Sequence, residues 1–254
     1  MTVLVGVRCT DGVVVGADSM ATSSFAQSGL TGAPMDKIAI IGNKVILAGT
    51  GAVGLGQRFE AIVTNHVGKR TFASNETVEG SKLLCREAMA DFSSTGAILP
   101  QKGVPYGAML AIGCEGKGQL VEFEFGSFQP EVKRGKIFSV SMGSGQQLSE
   151  PFLAFVSRVL WNDSAPDVKN AKFGVLWALE HCIKYAPGGV GEPIQIAVLQ
   201  KHGSDWRAEL LTEAEFEEQR QHIDAIEAKI REYPSLLLAQ ASAETPPDPS
   251  KVAG

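Results

Sequence analysis

At 254 residues with 44% hydrophobic content, the chain is long enough to build one sizeable core, and sandwich domains of this size are often single. A formal net charge of −5 without any basic cluster argues against a nucleic-acid partner. No apolar run reaches membrane-span length, no basic leader precedes Val3–Val7, and Cys9, Cys85, Cys114 and Cys182 show no metal or redox spacing, so a cytoplasmic chain with reduced thiols, no membrane partner and no metal is expected.

Thr2 stands directly behind Met1. Its side chain is small enough that removal of Met1 is expected, leaving a hydroxyl nucleophile and a free α-amine on one residue. Such an amine titrates near pH 8, which makes it a usable general base at neutral pH. Two β-branched runs follow, Thr2–Cys9 and Val13–Asp18, separated by an Asp-Gly turn, which is a hairpin signal. Folding back places Asp18 at the far end of the second strand, beside Thr2. A second strand pair is read at Asp36–Ile41 and Lys44–Gly49, turning at Gly42-Asn43.

Helical periodicity then appears over Leu55–Val67 and Val78–Phe92, followed by strands at Gly107–Cys114, Gln119–Phe125, Gln129–Arg134 and Ile137–Val140. Two more helices are expected at Gln146–Leu160 and Asp167–Tyr185, the latter apolar on most faces and therefore buried between neighbours. Strands at Pro193–Gln200 and Trp206–Leu211 close the sheets. A charged helix over Thr212–Tyr233 opens with a Thr212/Glu215 capping box. From Ala239 onward the Ala/Ser/Pro composition reads as a disordered tail. This order predicts an α+β fold, a four-layer αββα sandwich of two antiparallel sheets flanked by helices, forming one domain over residues 1–233.

Thr2…Asp18-Ser19-Met20-Ala21-Thr22…Lys37-Ile38…Ala48-Gly49, with Gly143-Ser144-Gly145 downstream, resembles proteasome β-type subunits and their bacterial relatives, which are N-terminal nucleophile hydrolases. In that family an Asp-Ser-Arg-Ala-Thr segment begins sixteen residues after the catalytic threonine, as Asp18 does after Thr2. The order of elements matches over residues 2–211, and the short stand-alone bacterial homologues are most similar, because no long propeptide precedes Thr2.

The resemblance implies a threonine endopeptidase without a cofactor. Thr2 Oγ1 would attack the scissile carbonyl, Lys37 would lower the pKa of the Thr2 amine, and Asp18 would fix Lys37. A backbone N–H at Gly49 would stabilise the oxyanion, and Ser144 would orient or relay the proton. Thr22 and Gly51 would bind substrate backbone as an added strand, with Ala21, Met35 and Leu47 lining the pocket before the cut. None of those three is charged, so apolar side chains are expected there. The implied assembly is a homo-oligomeric double ring of seven subunits each, six being the alternative. It would be joined through the helices at Gln146–Leu160 and Asp167–Tyr185, whose apolar surface includes Trp161 and Trp177. The partners are unfolded polypeptides or peptides, with an ATP-dependent unfoldase as a further one.

Two features depart from this pattern. Lys184 and Pro187 stand where the family places a supporting Asp and Ser, and neither can replace those groups. They favour, as the alternative, a ring subunit without activity or with altered activity. Gly49-Thr-Gly51-Ala-Val-Gly54 matches a dinucleotide fingerprint, the basis of a remote oxidoreductase alternative. The hairpin context and the polar stretch Gly68–Glu79 speak against it.

Overall fold

The computed structural model describes residues 2–21, 33–74, 76–186 and 189–243. In chain order the elements are β1 (Leu4–Arg8), β2 (Gly12–Asp18), β3 (Met20–Ala21), β4 (Ala33–Pro34), β5 (Ile38–Ile41), β6 (Val45–Gly51), α1 (Val53–Gly68), α2 (Thr71–Ser74) and α3 (Thr77–Ser94). They continue with β7 (Tyr106–Cys114), β8 (Lys117–Phe123), β9 (Pro130–Val132), β10 (Ser139–Met142), α4 (Gln146–Leu160), α5 (Val168–Tyr185), β11 (Ile194–His202), β12 (Asp205–Leu210) and α6 (Glu213–Ala243). One five-stranded sheet runs β10-β1-β2-β11-β12 and the other β5-β6-β7-β8-β9.

Three cores separate four layers. Leu4, Val13, Val15, Ile46, Met109 and Leu120 fill the space between the sheets. Val5, Val14, Leu176 and Leu179 join the first sheet to the α4–α6 side. Phe59, Phe92, Phe123 and Phe128 join the second sheet to α1–α3. β2 is buried along its whole length because both of its faces are covered. This is the αββα sandwich expected from the order of elements.

The β1–β2 register pairs Leu4 with Ala17, and the Asp18 N–H donates to the Val3 carbonyl at 3.2 Å. Asp18 therefore lies beside the start of β1. The turn itself consists of Thr10 and Asp11, closed by Cys9 N–H to Gly12 C=O at 2.8 Å. Gly12 is already a strand residue, and a Cβ there would stand 2.3 Å from the Leu199 carbonyl oxygen. Close approach of β11, rather than turn geometry, requires that glycine. Asp11 meanwhile accepts from Val168 N–H and from Gln200 Nε2, both at 2.8 Å, tying the turn to α5 and β11.

The expected capping box at α6 forms: Thr212 N–H donates to Glu215 Oε2 at 3.0 Å and Glu215 N–H to Thr212 Oγ1 at 3.4 Å. That helix continues past Tyr233 and Pro234 to Ala243, ten residues beyond the periodic stretch read from sequence. β6 pairs antiparallel with both β5 and β7, so the Gly49–Gly54 fingerprint has no parallel βαβ unit around it. Among the described residues no helix is long and apolar enough to cross a membrane.

Trp161 and Trp177 correct one expectation. Both are buried in the chain's own core rather than offered to a neighbouring subunit. Trp161 covers Gly174, where a Cβ would come within 2.3 Å of its ring, and Trp177 Nε1 donates to Glu227 of α6 at 3.1 Å. Helical periodicity marks a side chain as apolar without saying which layer covers it. Trp161→Ala is accordingly expected to destabilise the folded chain by about 3–5 kcal/mol, read from urea unfolding.

Candidate active site

The site forms where β1 begins, β2 ends and the β10–α4 connection crosses them. Gly143-Ser144-Gly145 is pressed onto Thr2 and Val3. A Cβ on Gly143 (φ +88°) would stand 2.3 Å from the Thr2 carbonyl oxygen, and one on Gly145 2.6 Å from Val3 Cβ. The two glycines let Ser144 reach the chain start: Thr2 N–H donates to Ser144 Oγ at 3.1 Å, and Ser144 Oγ donates to Thr2 C=O at 3.4 Å. The Thr2 nitrogen is an amide while Met1 is attached and stands for the α-amine of a chain starting at Thr2. Gly145 N–H also donates to Thr2 C=O, at 3.1 Å. Thr2 is half-buried, and its hydroxyl makes no hydrogen bond to another described residue.

Next to this contact lies a buried ion pair. Lys37 Nζ meets Asp18 Oδ1 at 2.7 Å with both side chains almost fully enclosed, and donates to the Met20 carbonyl at 2.8 Å. Three backbone N–H groups also donate to the Asp18 carboxylate: Val3 at 2.8 Å, Met20 at 3.2 Å and Gly191 at 3.3 Å. Lys37 N–H donates to Gln195 Oε1 at 2.9 Å, and Gln195 Nε2 donates to Asp36 Oδ1, which fixes the strand entry around the lysine. Burial lowers the Lys37 pKa from its ordinary value and outweighs the opposing pull of the Asp18 carboxylate.

Two adjoining cavities open on this pair. One, of about 500 Å³, is lined by Thr2, Met35, Lys37, Thr50, Gly51 and Ser144 among others. The second, of about 430 Å³, shares Met35, Lys37 and Gly51 with it and adds Leu47, Gly49, Glu60 and Tyr106. The structure thus brings together Thr2, Lys37, Ser144, Met35 and Gly51, with Asp18 behind Lys37 and Leu47 and Gly49 in the second cavity. Gly51 has φ +106°, and a Cβ there would stand 2.4 Å from the Pro105 carbonyl oxygen, so glycine is required. Thr22, Pro187 and the side chain of Ala21 lie outside the described residues. Lys184 is exposed, its ammonium 5.3 Å from the centre of the Tyr185 ring.

The Gly49 N–H, expected to face an oxyanion, donates instead to the Lys37 carbonyl at 3.2 Å as part of the β5–β6 ladder. Glu60 and Tyr106 were not singled out from sequence. Glu60 lies on a helix face next to Gly56, and Tyr106 opens β7, so neither has a local signal for this place. Among the described residues no three or more His, Cys, Asp or Glu side chains gather as a metal site.

A family model described as "Proteasome subunit" matches residues 2–154, more than half of the 254-residue chain. Among solved structures the fold is similar to an Anbu (Gly-1) mutant from Hyphomicrobium sp. strain MC1, at TM-score 0.69 and 16% identity over 92% of this chain and 97% of that one. It is also similar to Anbu, an ancestral β-subunit, from Yersinia bercovieri, at TM-score 0.67 and 12% identity over 90% and 95% of the two chains. No curated protein matches the sequence.

The ion pair yields a double-mutant test. Asp18→Asn leaves a buried ammonium without its counter-charge and is expected to cost about 3–5 kcal/mol of stability. Adding Lys37→Met removes the stranded charge, so the double variant should be more stable than Asp18→Asn alone in urea unfolding.

Proposed function

The chain belongs to the proteasome subunit family, and within it we propose a threonine-type endopeptidase that cuts peptide bonds with Thr2 once Met1 is removed. The observation that carries this reading is one cavity shared by Thr2, Lys37 and Ser144, with Lys37 held from behind by Asp18. Thr2 Oγ1 attacks the carbonyl, and the Thr2 amine takes the hydroxyl proton directly or through water. The Lys37 ammonium favours the neutral, basic form of that amine by like-charge repulsion. Ser144 Oγ, at 3.1 Å from the Thr2 nitrogen, orients it. Gly49 N–H serves the oxyanion by sharing or giving up its bond to Lys37 C=O, and Gly51, with Thr22, pairs with the extended substrate.

A second reading, a ring subunit without peptidase activity, draws on that same Gly49 bond and on Lys184 and Pro187 in place of the supporting Asp and Ser. Peptide boronates or epoxyketones separate the two readings. The peptidase forms an adduct on a Thr2-initiated chain, seen by intact mass and lost in Thr2→Ala. Retention of Met1 in every molecule, or full turnover by Thr2→Ala, would overturn the peptidase.

The pH dependence follows from the two groups. The amine must be neutral and the Lys37 ammonium favours that form, so kcat/KM should rise with pH through a titration below the ordinary amine value near pH 8. Lys37 must stay charged, and its pKa is lowered by burial, so the alkaline decline should begin below the ordinary lysine value of 10.5. A profile still flat at that pH would contradict the role of Lys37.

For assembly we propose a cytoplasmic homo-oligomeric double ring of seven subunits each, six being the alternative, enclosing the sites and acting on unfolded chains, with an ATP-dependent unfoldase as a further partner. The exposed Phe155, Val159 and Leu160 of α4 and Tyr185 of α5 supply an apolar face for the ring–ring contact. Phe155→Ser with Val159→Ser should split the double ring in mass photometry, at little cost to subunit stability because both side chains are exposed. A wild-type monomer or dimer at micromolar concentration would refute the ring.

A further inference from the structure

The second cavity carries groups that the bond-breaking chemistry does not use. Tyr106 is 3% exposed, its ring packed against Phe59 and Phe128, yet its hydroxyl makes no hydrogen bond to a described residue. That hydroxyl lies between two backbones: a Cβ on Gly49 would stand 2.5 Å from the Tyr106 oxygen, and one on Gly56 of α1 would stand 3.2 Å from its ring. The two glycines keep open the space around it. Glu60 follows Gly56 by one turn on the same face of α1, so its carboxylate lines the same cavity. Glu60 has no cationic partner among the described residues. Asp36, also in the lining, is bonded to the neutral Gln195 amide, whereas Lys37 is held by Asp18. The uncompensated charge in the cavity is therefore negative. Burial, with Glu60's charge adding to it, raises the Tyr106 pKa, so the phenol remains a neutral hydroxyl throughout the working range.

We propose that this cavity receives the side chain preceding the cut bond and selects lysine or arginine, with Glu60 and Tyr106 as the specificity-determining residues. This rests on the peptidase reading. The aliphatic stem lies along Leu47 and Ala39, and the cationic head donates to the Glu60 carboxylate and the Tyr106 oxygen. A glutamate side chain could accept from the Tyr106 hydroxyl but would be repelled by the Glu60 and Asp36 carboxylates, with the Lys37 ammonium already paired to Asp18. An apolar one would cover the Tyr106 hydroxyl without giving it a partner. The apolar preference expected from Ala21, Met35 and Leu47 is replaced in this proposal, because Met35 and Leu47 supply the wall and not the charged end.

The test uses matched fluorogenic peptides ending in Arg, Lys, norleucine or Glu, with their kcat/KM values compared. Arg and Lys are expected to exceed norleucine by about tenfold, with Glu lowest. Glu60→Gln should bring the Arg-to-norleucine ratio to about one, and Tyr106→Phe should lower it partway. Norleucine equal to or better than Arg, or an unchanged ratio in Glu60→Gln, would overturn the assignment. Equilibrium binding of the same peptides, labelled and read by anisotropy on the Thr2→Ala protein, keeps the two proposals apart. Tighter binding of Arg that vanishes with Glu60→Gln supports the cavity's selectivity even if no peptide is hydrolysed, in which case only the peptidase reading falls. Equal binding of Arg and norleucine overturns the selectivity whatever the turnover.

Discussion

The Asp18–Lys37 ion pair is the contact on which the rest of the site depends. Its carboxylate gathers N–H donors from the start of β1, from β3 and from the segment before β11, three stretches far apart in sequence. Removing two charges from water is expensive, and such a pair adds little net stability compared with apolar residues of the same shape. What it supplies is a penalty for any other register. A one-residue slip of β2 against β1 would turn Asp18 to the opposite face and strand Lys37. The pair therefore fixes where Thr2 sits relative to the lysine, and both cavities take their shape from that placement.

Glycines carry the second constraint, which is close approach. Gly143 and Gly145 let the β10–α4 connection lie on the backbone of Thr2 and Val3, bringing Ser144 to the chain start. Gly49 and Gly56 do the same around Tyr106, and Gly12 around β11. At Gly12, Gly49, Gly143 and Gly145 a Cβ would collide with its neighbours, and at Gly56 it would press on the Tyr106 ring. The conformational entropy they cost the folded chain is offset by the packing of the three cores on either side.

Much of this was legible in the sequence wherever the signal is local. Runs of β-branched and other apolar residues bounded by turns located β1, β2, β5 and β6, apolar spacing located α4 and α5 to within a residue, and Thr212 with Glu215 marked the start of α6. The β1–β2 hairpin put Asp18 beside Thr2 before any long-range contact was known. What could not be read depends on layers meeting. By periodicity alone Trp161 is surplus apolar surface, whereas in the fold it covers Gly174; by local pattern Gly12 is a turn residue, whereas in the fold it admits the close approach of β11. Tyr106 and Glu60 join one cavity only because α1 crosses the end of β6. The continuation of α6 beyond Pro234 likewise has no periodic apolar stripe to announce it.

The Gly49 N–H brings the two functional readings to one bond. In the structure it is a neutral amide-to-carbonyl contact at 3.2 Å, at the long end of the normal range. An oxyanion in its place would form a charge-assisted bond of roughly twice the strength. The exchange is favourable only if the Lys37 carbonyl acquires another donor or tolerates sharing. That carbonyl belongs to the residue whose ammonium the chemistry also needs, so a shift of Gly49 toward substrate is coupled to the backbone of Lys37. Gln195 and Asp18 resist that shift from two sides, by the amide bond at 2.9 Å and the ion pair at 2.7 Å. A rigid lysine favours sharing of the N–H over its release. In a peptidase the Gly49 bond would lengthen without breaking as the tetrahedral intermediate forms; in an inert subunit it would simply remain.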